Sequence, residues 1–418
     1  MEKPKLFETD KSFIGTIVVL SVFILIRLFL EYQSYREFIS KPFYFTPVTV
    51  LSAYEKSKNG KRYTVLKLRS DEGLTFYTTS YKKEVFDHKK LRVQIFPNAS
   101  IPFYKYLGTF YVKSRIRSSS IMEKTFKDRL LKQVADQHES VAMQSFYNAI
   151  FFATTIKKSL REKISLLGVS HLVALSGFHL GILWGLIYGL FMLIYRPLQQ
   201  RSFPYRHALF DVGLVTMLIL GLYLWFVDFP PSLVRSYAMV LVGWVVILMG
   251  VELLSFTFLT TIIFALMALF PSLLVSLSFW LSVSGVFYIF LLLQYTKTSN
   301  KWMITLIFIP VGIFLLMLPI VHSIFGVTSP YQLLSPLLSL LFIPFYPLVM
   351  VLHLLGIGGS LDSVLLTLFS LPKESVENLL PVWVTGIYLL LSIAAIWSRK
   401  LFYVLISIAF GYAGYLFI

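Results

Sequence analysis

Long apolar runs separated by short polar breaks fill most of this chain, and a different periodicity interrupts them near the start. The first run, "SFIGTIVVLSVFILIRLFL", follows Lys3, Lys5 and Lys11 and is long enough to cross a bilayer. It is followed by "EYQSYREF" rather than a small-residue cleavage site, so residues 1–30 read as an uncleaved signal anchor. The pattern then turns to alternation in "YFTPVTVLSAY", "KRYTVLKLRS", "LTFYTTS", "KLRVQIF" and "GTFYVKS", with "KNG" and "DEG" as hairpin turns. Five short strands over 31–118 suit a small OB-type barrel, although a five-stranded sandwich fragment would read alike. Residues 119–169 mix charge and hydrophobicity at helical spacing, as an amphipathic, interfacial segment does.

From residue 170 to 418 the apolar runs recur at bilayer length, near 170–195, 207–227, 231–250, 253–270, 273–294, 302–325, 331–356, 381–397 and 401–418. A shorter piece covers 361–371. Pro336, Pro344 and Pro347 predict a break in the 331–356 run. The predicted fold class is therefore a polytopic α-helical membrane bundle of about ten spans, one or two of them broken, with a small all-β OB-like extracytoplasmic domain.

Composition agrees: of 418 residues, 56% are hydrophobic and only 14% charged, below the roughly 25% charged of a soluble domain. With no cysteine, disulfides, thiolate metal sites and thiol catalysis are excluded. The net charge is +17, and residues 44–117 hold 15 Lys/Arg against 5 Asp/Glu. Such a concentration of charge points to a polyanion, nucleic acid or anionic lipid. Arg196, Arg201 and Arg206, then Lys297 and Lys301, then Arg399 and Lys400 mark connections expected on the cytoplasmic side with the N-terminus. This count requires the 361–371 piece to cross or to pair with a break, and it puts the basic domain outside.

Polar residues within the apolar runs are the candidate functional groups. "SHLVALSGFHLGILWGLIYGLFMLIY" opens with His171, Ser176, Gly177 and His179. On one straight helix, at about 100° per residue, His179 lies roughly 80° and Ser176 roughly 140° from His171. Gly177, Gly181, Gly185 and Gly189 form a drifting stripe largely opposed to them, which predicts close helix packing. The two histidines stand about 12 Å apart along that axis, too far to share a metal ion. Arg235 in "PSLVRSYAMVLV" is a cation in an apolar run, and Ser278, Trp280 and Ser282 lie in "VSLSFWLSVSG". In the basic domain, Lys58, Lys61, Arg62, Lys67, Arg69, Lys82 and Lys83 are candidate phosphate contacts, with Tyr63 and Phe76 to stack bases. Two other classes stay open. One is an intramembrane serine hydrolase using Ser176 and His179; the other is a transporter of a small anion or lipid with Arg235 as counter-charge.

"GVSHLVALSGFHLGIL" closely resembles the central motif of the ComEC family of bacterial competence proteins. "PSLVRSYAMVLV", "ALFPSLLVSLSFWLSVSGV" and "LLSPLLSLLFIPFYPLVMVL" resemble further family segments in the same order, so the likeness covers roughly 140–360. The resemblance implies a channel that passes single-stranded DNA across the bacterial cytoplasmic membrane during natural transformation. It implies a competence DNA receptor, a separate nuclease, and a cytoplasmic ATPase or single-strand-binding proteins as partners, besides membrane lipid. His171, Ser176, Gly177, His179 and Arg235 match the family's characteristic positions. Many members end in a metallo-β-lactamase-like domain. Here Ile418 lies in an apolar run and no H-x-D-x-D-H cluster occurs, so a short form without cofactor, metal or catalytic residues is expected.

Overall fold

The computed structural model describes residues 6–58, 61–81, 86, 89–121, 125–250, 255–296, 299–372 and 374–417, with Lys58, Lys61, Ile121 and Pro231 described by backbone alone. Lys82, Lys83 and Lys297 lie outside the described residues. The chain divides into two units, one of residues 7–125 with 260–277, the other of the remainder.

In the smaller unit, Thr9 accepts the Ser12 amide and caps α1 (Asp10–Ser40). This helix runs ten residues beyond the anchor boundary expected at residue 30. Its last turns bury Tyr35 and Phe38 in the core of the β structure, and the Tyr35 hydroxyl donates to the Ile101 carbonyl at 2.7 Å. Apolar side chains on "SYREF" thus find a partner surface that keeps the helix going.

The strands are β1 (Tyr44–Lys58), β2 (Lys61–Ser70), β3 (Thr75–Ser80) and β4 (Lys89–Phe96). A short helix α2 (Phe103–Leu107) precedes β5 (Phe110–Tyr111) and β6 (Lys113–Ile121). They form one six-stranded sheet in the order β5-β3-β2-β1-β4-β6. β5 and β6 stand at opposite ends of that order yet are separated only by Val112 in sequence, and Thr78 of β3 meets Ser114 of β6 at 2.8 Å. All pairings are antiparallel except β3 with β5. Val48, Leu66, Leu68, Phe76, Leu91, Val93, Ile95 and Phe110 fill the interior. β6 carries strand structure to Ile121, past the helical start expected at 119, because "SRIRSSSI" pairs along β4.

In the larger unit, α3 (Phe126–Ala135) and α4 (Val141–Phe152) pack as a helical pair, followed by α5 (Lys158–Leu166) and α6 (Ser170–Val173). Then come α7 (Gly177–Ser202), α8 (Ala208–Phe226), α9 (Pro231–Leu248), α10 (Phe256–Leu269) and α11 (Leu277–Thr296); the unit boundaries fall within α10, whose residues from Thr260 onward belong to the smaller unit, and after the first residue of α11. α12 (Lys301–His322) includes a π-helical stretch at Ile304–Phe308, just before Pro310. β7 (Val327–Thr328) pairs with β8 (Val376–Glu377). Between them lie α13 (Ser335–Leu354) and α14 (Asp362–Ser370), and after them α15 (Val382–Ala394) and α16 (Arg399–Phe417).

Seven helices among the described residues are long and apolar enough to cross a membrane, and Ser232–Leu248, Phe256–Leu269 and Val382–Ala394 are shorter apolar helices. Two expectations need correction. α13 continues through Pro344 and Pro347 for 20 residues, so the predicted break there is absent. The break falls in the 170–195 run instead. The piece at 361–371 forms a nine-residue helix, about 14 Å long, which cannot cross a hydrocarbon layer of about 30 Å unaided.

Candidate functional site

The span that opens with His171 is two helices joined by an extended turn. α6 ends at Val173, Ala174 and Ser176 take extended backbone angles, and α7 starts at Gly177. The one-helix angles between His171 and His179 therefore do not apply. A break frees backbone groups that need partners. Ser232 of α9 supplies one by donating to the Leu175 carbonyl at 2.9 Å. Gly177 lets α9 come this close, since a Cβ there would stand 2.8 Å from Ser236 Oγ.

The polar side chains then separate into two environments. His179 is 0% exposed, edge-on to Phe342 and Tyr346. Its Nδ1 lies 3.4 Å from Ser176 Oγ, and its Nε2 has no hydrogen-bond partner among the described residues. His171 is exposed, with Nε2 3.3 Å from Ser339 Oγ. Because Ser339 spends its own proton on the Ser335 carbonyl at 2.8 Å, His171 Nε2 is the donor in that contact.

Arg235 follows Ser232 and precedes Ser236 on the first turns of α9. It is 9% exposed, and its Nη2 donates to Ser278 Oγ at 2.7 Å, near the start of α11. On α11, Ser278, Trp280 and Ser282 are exposed while Phe279 and Val283 are buried. The starts of α7, α9 and α11 are thus linked in series, through Ser232 and Ser236 on one side and Arg235 with Ser278 on the other. Helix N-termini carry partial positive charge, so this is an electropositive zone within apolar structure.

The glycine stripe does not behave as predicted. Only Gly177 meets a neighbouring helix; a Cβ at Gly181, Gly185 or Gly189 would meet nothing within 4 Å. These three face open space in a single chain.

In the β unit the expected strand-binding residues also divide. Phe76 is 0% exposed in the core, stacked on Phe110 at 5.9 Å, and cannot reach a base. Lys67 and Arg69 alternate with buried Leu66 and Leu68 and so share the outer face of β2. Arg62 is exposed near the hairpin end, and Tyr63 lies 6.1 Å from the exposed Tyr81 ring. Residues not singled out from sequence extend this face. Thr49 pairs with both Arg69 and Lys90, Pro47 with Arg92, and Gln94 with Phe45 and Arg115. Arg92 lies over the Phe45 ring at 5.7 Å, and Arg117 donates twice to Gln94 Oε1. Lys67 stands over Tyr77 at 5.9 Å. The outer surface of the sheet is thus an alternating field of cations and aromatic rings, joined by exposed Tyr111. Cationic or polar residues at every second position, Lys90, Arg92 and Gln94 in "KLRVQIF" and Lys113, Arg115 and Arg117 in "KSRIRSS", were the available signal.

A family described as Competence protein matches residues 152–417. An uncharacterized protein of Aquifex aeolicus (strain VF5) is 26% identical over 303 residues, 70% of this chain and 64% of its own length. This chain accordingly spans less than two thirds of that relative. No solved structure matches it.

Proposed function

The chain belongs to the Competence protein family, and on that premise we propose that it is a multi-pass membrane protein of competence and DNA uptake that conducts single-stranded DNA through the bacterial cytoplasmic membrane. One observation carries the reading: a buried arginine, Arg235, sits where helix starts meet beside a break in an apolar span. A phosphodiester chain cannot enter hydrocarbon without a cationic or hydrated path. A cation flanked by helix N-termini offers each phosphate a transient partner without a base-specific contact. Ser176, Gly177, Ser278, Trp280, Ser282 and exposed His171 border this path; His179 supports it from the core.

The β unit is proposed as an OB-type barrel that gathers unpaired strand on its outer sheet face. Its strand order fits such a barrel when β5 and β6 are taken as one strand pairing with both β3 and β4. Lys67, Arg69, Arg92, Arg115 and Arg117 would neutralise phosphates, and Tyr77 and Tyr111 would stack bases without reading sequence. The domain is proposed to face outward, and the DNA receptor, nuclease and cytoplasmic driving proteins are separate partners. The hydrolase alternative finds less support, since no carboxylate hydrogen-bonds to His179 among the described residues.

The test is uptake of fluorescent DNA by a strain lacking this chain. Nuclease-protected DNA should accumulate outside the cytoplasm and none should enter. Normal cytoplasmic entry would remove the channel reading.

A further inference from the structure

A second polar cluster lies elsewhere in the larger unit, where the turn between α3 and α4 meets the end of α13 and the start of α14. His138 Nδ1 lies 3.0 and 2.9 Å from the two oxygens of Asp362. Its Nε2 lies 2.9 Å from His353 Nε2, and His353 Nδ1 lies 2.6 Å from the Val349 carbonyl. Both histidines are buried, and the Asp362 side chain is 16% exposed. The surroundings are built to hold this arrangement. Tyr147 stacks flat on His138 at 4.4 Å. Gln137 donates to the His353 carbonyl at 3.1 Å and accepts the Gly358 amide at 2.8 Å. A Cβ at Gly358 would stand 2.6 Å from the His353 ring, and one at Gly359 would stand 2.6 Å from the Gln137 carbonyl oxygen.

The protons can be counted. The Val349 carbonyl only accepts, so His353 Nδ1 carries a proton. One proton lies between His138 and Asp362, and one must lie between the two Nε2 atoms for their contact to be a hydrogen bond. That makes three protons, one more than two neutral imidazoles beside a carboxylate hold. Its positive charge balances Asp362. Without it one of the three contacts loses its proton, so that lone pairs face each other between the two Nε2 atoms at 2.9 Å, between His353 and Val349 or between His138 and Asp362, and in every case Asp362 keeps an unbalanced charge. A metal ion fits poorly: two imidazoles on tetrahedral zinc stand about 3.3 Å apart, given bonds of about 2.0 Å. Among the described residues no group of three or more His, Asp or Glu side chains is arranged so that it could hold a metal ion.

We propose that His138, His353 and Asp362 form a proton-operated latch, which fastens the α3–α4 pair to the end of α13 and the start of α14 while the extra proton is held and opens when it leaves. The other titratable group in contact is Tyr147, whose phenol burial raises above its ordinary value, so it stays neutral throughout. Asp136 and Glu139 flank His138 in sequence and are exposed. The latch does not depend on the nature of the transported molecule. The sign is set by charge: it is closed at low pH and opens as pH rises.

The test is hydrogen–deuterium exchange of the full chain in phospholipid nanodiscs, corrected for intrinsic exchange, from about pH 5.5 to about pH 8.5, where histidine titrates. Peptides spanning 136–145 and 352–364 should lose protection together, by about tenfold, as pH rises. Asp362→Asn keeps the shape but removes the balancing charge, and should move that transition lower by about one pH unit. His353→Gln should make protection independent of pH. A flat profile in the wild-type chain, or an unchanged transition in both variants, would overturn the latch. One equivalent of zinc in the purified chain, lost in His353→Gln, would replace the proton with a metal. Should His353→Gln not fold, the direction of the Asp362→Asn shift still decides.

Discussion

Arg235 donates from Nη2 to Ser278 Oγ across 2.7 Å, joining the first turns of two apolar helices whose residues stand 43 positions apart in sequence. A hydrogen bond from a charged donor contributes about 1.5–3 kcal/mol. Arg235→Gln should therefore reduce DNA entry by roughly 10- to 100-fold while leaving the protein in the membrane. Arg235→Lys should recover part of the loss, because it restores charge without the planar fork. Transformation frequency normalised to membrane level measures this. Loss of the protein in both variants would instead make Arg235 a folding residue.

The outer sheet face makes a separate prediction. Replacing Arg92, Arg115 and Arg117 together with glutamine should weaken oligothymidine binding by the full chain in nanodiscs. Every phosphate left without its arginine lowers the salt-dependence slope by about 0.7, so the slope should fall by roughly 2. Binding titrations at several salt concentrations give the slope directly; an unchanged slope would take this face out of the DNA path.

Phe76 and Tyr111 should differ in kind. Phe76→Ala opens the core of the β unit and should cost roughly 3–5 kcal/mol, seen as a lower thermal midpoint or lost expression. Tyr111, 51% exposed, should tolerate alanine in stability while losing about 1–3 kcal/mol of strand binding if it stacks a base. Equal effects on stability would contradict the inward and outward assignments.

The glycines of α7 test the break. Gly177→Ala pushes a methyl group against Ser236 and should lower both stability and uptake. Gly181→Ala, Gly185→Ala and Gly189→Ala enter open space and should be neutral, or stabilise by up to about 1 kcal/mol each through helix propensity. Thermal midpoints in nanodiscs distinguish them. If the last three abolished uptake at normal protein levels, that face would have to meet another molecule.

Much of this fold was present in one dimension. Runs of bilayer length announced the helices, and alternation with Gly-containing turns announced the strands, because burial on one face imposes a period on the residues that line it. Arg235 was legible too, since a cation in an apolar run is costly enough to require a reason. The break at 174–176 was not, because "VALSGF" has no proline and its freed carbonyl is satisfied by Ser232, a residue 57 positions away. Phe76 looked available for stacking because alternation states that residues share a face, not which face turns inward; that depended on its packing into one buried cluster with Val48, Leu66 and Phe110. The cationic field of Arg92, Arg115 and Arg117 needed the register of β1, β4 and β6 to bring it together. His138, His353 and Asp362 are separated by more than 200 residues from first to last, and only the packing of α4 against α13 makes them one group. Local periodicity is a property of neighbours in the chain, whereas a shared proton or a common surface belongs to atoms that only folding brings within reach.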